Sequence, residues 1–276
     1  MQKKDEEKIK NQIPPDLLQK IEALESSPQT GKAGKKIAVF DLDNTLLIGD
    51  IGDAVFAQLL LDKAPIAFSW QEYQGLLDRK KKREAYEKVI TTMAGLPLDT
   101  LIETTEKVMH CGLDSLKLPE TEVPVPVPHP VMQALLKLLK AANYEIYVIS
   151  ATNRYSVRFV AREFFDLPES HVFGIKPVVK EIEDEKKGKV IVLGSELEPP
   201  VTVAEGKTEI YKKYAGTTPP LLTAGDSETD IPMLNLAAAR GLIIWVGTDT
   251  ARYEAIKPKI EHPENLYYFP RGAGSR

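Results

Sequence analysis

Two aspartates, one residue apart, stand at the end of an apolar run, a spacing that suits nucleophilic and acid–base chemistry. The run begins at Ile37 and leads through Phe40 into Asp41, Leu42 and Asp43. Alternate side chains of an extended chain point to the same side, so Asp41 and Asp43 can share one small space. Two carboxylates this close require a shared proton or a divalent cation. An ionised Asp41 would then serve as a nucleophile, and a protonated Asp43 as a general acid.

A second acidic turn lies towards the other end of the chain. The apolar residues 221–224 lead into Gly225-Asp226-Ser227-Glu228-Thr229-Asp230, and a helix is expected at residues 231–240. Carboxylates at the carboxyl end of a strand suit magnesium, which prefers oxygen ligands. Helix capping accounts for one of these aspartates, but not for the whole acidic turn.

An anion site and a lysine lie between the two acidic turns. Ser150 and Ala151 follow a strand predicted at residues 144–149 and precede a helix, so a hydroxyl and free backbone amides there form a phosphate-sized site. Ser, Thr and Asn also cap helices for structural reasons alone. Lys207 begins another helix and by itself is typical of a surface charge. Beside an acidic phosphate site, it would neutralise the nucleophile and the phosphoryl group.

The elements that must position these residues are strands and helices in alternation. Apolar runs rich in β-branched residues alternate with helical periodicity, which is typical of an α/β fold with a mostly parallel sheet. Short strands are expected at residues 172–174, 178–182 and 190–193, the last two as a hairpin, and a final strand at residues 242–246. The interpretation requires these distant segments to converge around one divalent ion.

Three segments lie outside this alternation. Residues 1–35 are expected to form a helical arm and a linker rich in Ser, Pro and Gly. Residues 50 to about 118 have helical periodicity without a convincing strand, which suits a lid that excludes water, with an ordinary helical subdomain as the alternative. The Pro-rich residues 123–130 predict a stiff, extended connector, in which His129 is expected to be solvated.

Composition narrows the class of protein. The 276 residues carry a formal net charge of −4, which attracts neither nucleic acid nor an anionic membrane. The basic run at residues 79–83 is expected to be a solvated helix face, with a nucleic-acid or partner patch as the alternative. The charged first residues and the absence of a long apolar run predict a cytoplasmic protein, with a mature form already stripped of its signal peptide as the alternative. Cys111 is the only cysteine, which excludes an internal disulfide.

The four motifs, in their order, resemble those of the haloacid dehalogenase superfamily. They are Asp41-Leu42-Asp43-Asn44-Thr45, Ser150, Lys207 and Gly225-Asp226-Ser227-Glu228-Thr229-Asp230. With its large insertion between the first two motifs, the chain looks most like the branch of phosphoserine and phosphorylcholine phosphatases. The resemblance implies a Rossmann-like core at residues 36–49 and 129–276, a helical cap at residues 50–128 and an N-terminal arm at residues 1–35.

The resemblance also implies a role for each residue in a magnesium-dependent phosphatase that acts on a small phosphomonoester. Asp41 would attack phosphorus and form an aspartyl-phosphate, while Asp43 would protonate the leaving oxygen and then activate water. Ser150 and the amide of Ala151 would hold phosphoryl oxygens, and Lys207 would anchor both Asp41 and the phosphate. The ligands of Mg²⁺ would be Asp41, the backbone carbonyl of Asp43 and Asp226, while Asp230 would support either the metal or Lys207.

The nature of the leaving group depends on the insertion. Asp50 lies nine residues after the nucleophile, where phosphoserine phosphatases carry a glutamate that receives the substrate's ammonium. Its shorter side chain, and Ala151-Thr152 in place of a glycine pair, point away from phosphoserine. A cationic ester such as phosphocholine fits if Trp70 or Tyr73 lines the cap, because aromatic faces attract quaternary ammonium. A phosphomutase or phosphotransferase of the same fold and a non-catalytic binding module are the alternatives.

Overall fold

The structure is a computed structural model that describes residues 3–26, 35–184, 186 and 188–272. The predicted linker at residues 27–34 lies outside the described residues. Within them the strands are β1 (Ile37–Phe40), β2 (Leu47–Ile48), β3 (Ser115–Leu118), β4 (Thr121–Pro124), β5 (Val127–Pro128), β6 (Glu145–Asn153), β7 (Val172–Asp184), β8 (Gly188–Glu198), β9 (Leu222–Gly225), β10 (Leu242–Gly247) and β11 (Leu266–Pro270). The α-helices are α1 (Lys3–Lys10), α2 (Pro15–Glu25), α3 (Ile51–Leu61), α4 (Trp70–Asp78), α5 (Lys82–Thr91), α6 (Leu98–His110), α7 (Pro130–Ala141), α8 (Arg154–Phe165), α9 (Glu205–Tyr214), α10 (Ile231–Leu234) and α11 (Thr250–Ile256).

A large sheet forms the centre of the molecule. In the described part of the chain it has seven strands in the order β11-β10-β9-β1-β6-β7-β8. All neighbours pair in parallel except β7 and β8, which form an antiparallel hairpin. Strand β1 lies inside the sheet and is completely buried, as expected of a short apolar strand covered on both faces. The predicted α/β class with a mostly parallel, Rossmann-like core is confirmed.

Alternate residues of β1 face two different apolar cores. Ala38 and Phe40 belong to a large cluster with the inserted helices, α7 and α8, whereas Ile37 and Val39 pack in a cluster with Ile210 of α9. This period of two continues past the end of the strand, which directs the next odd-numbered side chain towards α9. The alternation along β1 therefore places Asp41, the residue after the strand, next to α9.

The predicted strands differ from the observed ones at several places, and the short strands β2 and β5 were not predicted. The hairpin of β3 and β4 occupies the last residues of the segment expected to be helical. Strands β7 and β8 are much longer than the predicted hairpin, because their outer halves pair with each other beyond the buried sheet. Strand β11 was not predicted at all. It pairs in parallel with β10, a contact between segments that have no local sequence signal for each other.

Helices α3 to α6 fill most of the segment with helical periodicity, and residues 70–91 form two helices instead of one continuous helix. Lys80 has a φ of 59°, a left-handed conformation that ends α4 before α5 begins. The basic run at residues 79–83 therefore spans a turn instead of one helix face. Its members are exposed except for Lys82, which is half-buried. Helix α10 is also shorter than predicted and ends at Leu234 instead of residue 240.

The connector before α7 is extended, as predicted, and β5 within it pairs antiparallel with β2. The prediction that His129 is solvated was wrong, because its side chain is fully buried. The backbone N–H of His129 donates to the carbonyl of Leu46 at 2.8 Å, which turns the residue into the core at the start of α7. Its ring packs 5.3 Å from that of Phe269.

The described part of the N-terminal arm packs on the core. Helix α2 buries Leu17, Ile21 and Leu24, whose spacing of three to four residues places them on one face. Among the residues with described positions, no helix has both the length and the apolar character needed to cross a membrane.

Candidate active site

A cavity of about 320 Å³ lies at the carboxyl ends of β1, β6 and β9, which are adjacent in the sheet. The parallel pairing brings their ends to one edge, so segments distant in the sequence supply one floor. Helices α3, α4 and α5 contribute the opposite wall. The cavity is lined by six aspartates: Asp41, Asp43, Asp50, Asp53, Asp226 and Asp230.

Lys207 joins the two acidic turns. Its Nζ lies 2.6 Å from Oδ1 of Asp41 and 2.6 Å from Oδ1 of Asp230, and all three side chains are buried. This contact follows from the alternation of side chains along β1, which directs Asp41 towards α9. Burial alone would lower the pKa of the Lys207 ammonium, but Asp230 and Asp41 raise it above its ordinary value. The ammonium therefore stays charged between two carboxylates.

The surroundings of Asp41 destabilise its ionised form. Burial raises its pKa well above the usual range, Lys207 opposes that shift, and the nearby Asp230 and Asp43 add to it. One ammonium thus does not compensate for all the negative charge around this carboxylate. An additional cation would relieve the repulsion and keep Asp41 ionised as a nucleophile needs to be.

Asp43 is held as an acid that titrates close to neutral pH. Its Oδ1 accepts a hydrogen bond from the backbone N–H of Ile51 at 2.8 Å, and its Oδ2 accepts from the hydroxyls of Ser150 and Thr152, each at 2.9 Å. Burial raises the pKa of Asp43 to about 7, Asp50 adds to the shift, and the three hydrogen bonds oppose it. A carboxyl group with this pKa can give and take a proton near pH 7.

Ser150 has a different neighbour from the one expected. It is fully buried, its hydroxyl donates to Asp43, and its Oγ accepts from the backbone N–H of Thr152 at 2.9 Å. Ala151 and Thr152, in contrast, line the cavity. In this structure Ser150 therefore orients the acid, and its contact with a phosphoryl oxygen stays a prediction.

Three carboxylates form a group that fits a metal ion. Asp41, Asp226 and Asp230 each offer one oxygen, and these oxygens lie within 4.8 Å of one another. Asp230 is fixed by Lys207 and by the backbone N–H groups of Asp226 and Ser227, at 3.2 and 2.9 Å. All-oxygen donors and an excess of buried negative charge suit Mg²⁺. The side chain of Asp43 is not part of this group.

The wall formed by α3, α4 and α5 carries a second pair of aspartates. Asp50 caps α3 and accepts from the backbone N–H of Asp53 at 2.9 Å, while the hydroxyl of Tyr73 donates to Asp53 at 2.6 Å. Burial raises the pKa of Asp50 well above its usual range and that of Asp53 to about 6. Of the two aromatic candidates, Tyr73 lines the cavity, whereas Trp70 packs on Phe56 with ring centroids 5.9 Å apart.

One glycine allows this wall to approach the floor. A Cβ on Gly52 would lie 2.5 Å from Oγ1 of Thr152, closer than non-bonded atoms approach. Glycine at the first turn of α3 therefore lets the helix begin directly against the motif that follows β6.

The sequence motifs did not identify several residues at the cavity. Tyr86 and Lys82 come from α5, Arg252 from α11 and Arg271 from the segment after β11. The guanidinium of Arg271 lies 2.7 Å from Oδ2 of Asp226. None of the four stands next to a motif in the sequence, and the only available signal for Arg271 was the aromatic run of β11 before it.

The fold and this site define a class that a comparison with known families identifies. A model of the haloacid dehalogenase-like hydrolases matches residues 38–235. The chain belongs to this family, and the prediction that it is a hydrolase of that superfamily is confirmed. No curated protein sequence matches the chain significantly.

Solved structures share the fold at low sequence identity. A functionally unknown protein from Anaerococcus prevotii DSM 20548 has a TM-score of 0.63 at 13% identity, with 94% of this chain and 96% of that chain covered. A protein of unknown function from Bordetella pertussis Tohama I has a TM-score of 0.59 at 18% identity, covering 87% and 100%. A phosphoserine phosphatase, as an analogue of its phospho-aspartyl intermediate, has a TM-score of 0.53 at 20% identity, covering 83% and 92%.

Proposed function

We propose that the protein is a magnesium-dependent phosphatase that hydrolyses a small phosphomonoester through an aspartyl-phosphate on Asp41. The observation that carries the proposal is the contact of Lys207 Nζ with Asp41 and Asp230, at 2.6 Å each, beside Asp226. A buried nucleophile, an ammonium and a cluster of oxygen ligands suit phosphoryl transfer, which depends on positioning and electrostatic stabilisation. Membership of a hydrolase family supports water as the final acceptor.

The first chemical step divides the work between two carboxyl groups. An oxygen of Asp41 attacks phosphorus, the new O–P bond forms, and the bond from phosphorus to the ester oxygen breaks. Protonated Asp43 gives its proton to the leaving oxygen, while Lys207 balances charge on Asp41 and on the phosphoryl group. The hydrogen bonds from Ser150 and Thr152 keep Asp43 in place for this transfer.

The second step returns the site to its starting state. The carboxylate of Asp43 takes a proton from water, and the water oxygen forms a bond to phosphorus as the bond to Asp41 breaks. Inorganic phosphate leaves, and Asp41 is again a carboxylate. Ala151, at the cavity wall, is the proposed amide contact for the phosphoryl oxygens.

Magnesium would be held by Asp41, Asp226, Asp230 and the backbone carbonyl of Asp43. When bound, it would neutralise charge that develops on the phosphoryl oxygens. Six aspartates line the cavity, but among the described residues that line it Lys207 is the one fully buried cation. This excess of carboxylates supports a site for Mg²⁺.

The leaving group is proposed to carry an amino or quaternary ammonium group. Asp50 and Asp53 place two carboxylates on the wall opposite the floor, and the ring of Tyr73 lies beside them. One structural neighbour is named a phosphoserine phosphatase, and phosphoserine carries an amino group. Residues 50–128 would act as the cap that encloses this group.

The cytoplasmic location and independence of nucleic acid stay predictions from charge and composition.

Turnover of p-nitrophenyl phosphate by the full chain, with Mg²⁺ and then with excess EDTA, tests the proposal. We expect turnover that is lost with EDTA and restored by added Mg²⁺. The absence of turnover across a broad panel of phosphomonoesters would contradict it. Transfer of labelled phosphate to an acceptor other than water would favour the phosphotransferase alternative instead.

A further inference from the structure

The segment after β11 brings a cation to the candidate metal site from outside the region that the family model matches. That match ends at residue 235, whereas Arg271 lies beyond the last strand. Its Nη2 is 2.7 Å from Oδ2 of Asp226, and the two side chains are 19% and 12% exposed. A charge-assisted contact this short and this enclosed restricts the orientation of the carboxylate.

Arg271 is itself fixed by two other parts of the molecule. Its backbone N–H donates to the carbonyl of Gly247 at 2.8 Å, at the end of β10. Its own carbonyl lies 3.0 Å from Nε2 of His129. Because a carbonyl can only accept, Nε2 carries the proton of that imidazole. His129 is fully buried against Phe269, so the donor cannot move away into solvent.

We propose that Arg271 is a positioning residue for Asp226 and that His129 positions Arg271. The guanidinium donates to Oδ2 of Asp226, and one oxygen of Asp226 lies within 4.8 Å of one oxygen each of Asp41 and Asp230. Mg²⁺ requires nearly ideal octahedral geometry, so it binds more tightly to a carboxylate that is already oriented. The inference rests on the proposed function, because it takes Asp226 as a ligand of Mg²⁺.

Arg271 would affect the Mg²⁺ affinity of the site in two ways that have opposite signs, so a measurement can separate them. A fixed positive charge next to a ligand repels a divalent cation, so removal of the charge alone would tighten Mg²⁺ binding. Loss of orientation would weaken it, and groups that orient metal ligands typically contribute about 10–100-fold to affinity. The direction of the change therefore separates a positioning residue from a counter-ion.

Isothermal titration calorimetry of the full chain with MgCl₂ tests the proposal on wild type, Arg271→Gln and Arg271→Lys. We expect Arg271→Gln to weaken Mg²⁺ binding about 10–100-fold and to reduce the Mg²⁺-induced rise in melting temperature. Arg271→Lys keeps the charge without the planar fork, so its affinity should lie between the two. At saturating Mg²⁺, the turnover of Arg271→Gln should be closer to that of wild type than its Mg²⁺ affinity is.

The matched control is Arg158→Gln. Arg158 is also a half-buried arginine with an acidic partner, with Nη1 3.2 Å from Glu169, but it does not line the cavity. We expect it to bind Mg²⁺ as wild type does. His129→Leu should weaken binding less than Arg271→Gln, and His129→Gln, which retains an N–H donor, should recover part of that loss.

Unchanged or tighter Mg²⁺ binding by Arg271→Gln would overturn the role of Arg271. If Arg271→Gln does not fold, equal affinities of Arg271→Lys and wild type would overturn it as well. Failure of the wild-type chain to bind Mg²⁺ would overturn the proposed metal site along with this inference. Turnover by wild type with Mg²⁺, combined with tight binding by the Arg271 variants, would leave the proposed function intact and remove only the positioning role.

Discussion

The cavity has two acidic sides that are built in different ways. On the floor, Asp41 and Asp230 share the buried ammonium of Lys207, and strands of the central sheet set their positions. On the wall of α3 to α5, Asp50 and Asp53 receive hydrogen bonds from a backbone amide and from Tyr73, without a cation in contact among the described residues. The floor therefore has a buried ammonium that offsets part of its negative charge, whereas the wall has none, so a cationic leaving group would favour the ionised forms of Asp50 and Asp53.

The largest effect should come from the floor, by replacement of Asp41 with Asn. An amide cannot attack phosphorus, so we expect turnover of p-nitrophenyl phosphate to fall by at least about 10³-fold. The fold should persist, since burial already raises the pKa of Asp41 and the change removes repulsion. Asp62→Asn is the control, because Asp62 pairs with Lys107 at an exposed position. An unchanged rate in Asp41→Asn would remove the floor from the mechanism.

The second effect is on stability, and it measures how far the floor depends on its one ammonium. Lys207→Met keeps most of the side-chain volume but leaves Asp41 and Asp230 without a shared cation. We expect a loss of about 3–5 kcal/mol in the free energy of unfolding by urea. The double variant Lys207→Met with Asp41→Asn should recover part of the loss, because one buried charge is gone.

An exposed ion pair provides the comparison for Lys207. Lys259 contacts Glu228 at 3.0 Å with both side chains more than half exposed, so Lys259→Met should cost no more than about 1 kcal/mol. Equal losses for the two variants would contradict the claim that the buried Lys207 stabilises the floor.

The floor was predictable from sequence because each of its residues lies at the end of a strand or the start of a helix. Strong apolar periodicity located β1 and β9, and the parallel sheet then placed Asp41 and Asp226 at one edge. Lys207 could be included only through the order of the motifs, since a lysine at a helix start carries no signal of burial. The predicted contacts of Lys207 with Asp41 and Asp230 are present in the structure.

The wall and the C-terminal contact could not be predicted in the same way. The position of α5 depends on a left-handed residue at Lys80, and a lysine in that conformation has no sequence signature. The hydrogen bond from Ser150 to Asp43 was not predicted either, because it depends on the rotamer of the serine. Arg271 reaches Asp226 through the pairing of β11 with β10, which is a long-range contact.

A third prediction sharpens the comparison from the side of the wall. Asn is as good a helix cap as Asp, so Asp50→Asn should retain α3 while removing a carboxyl group that a bound cation would keep ionised. We expect the ratio of kcat/KM for phosphoethanolamine to that for p-nitrophenyl phosphate to fall about tenfold, or about 1.4 kcal/mol. Asp249→Asn, a helix cap on α11 outside the cavity, is the control. A ratio that does not change would place the amine elsewhere or exclude it.

The smallest effect should come from Tyr73→Phe, which removes one hydrogen bond from the wall and no charge. The hydroxyl of Tyr73 lies 2.6 Å from Asp53 and fixes that carboxylate beside the cavity. Without it, Asp53 keeps its charge but loses its orientation, so the same ratio of kcat/KM should fall only about threefold, or about 0.6 kcal/mol. Tyr214→Phe, at an exposed position on α9, is the control and should leave the ratio unchanged. A larger change in Tyr73→Phe than in Asp50→Asn would mean that the wall selects by shape and hydrogen bonding, and the contrast in charge between the two sides would no longer explain specificity.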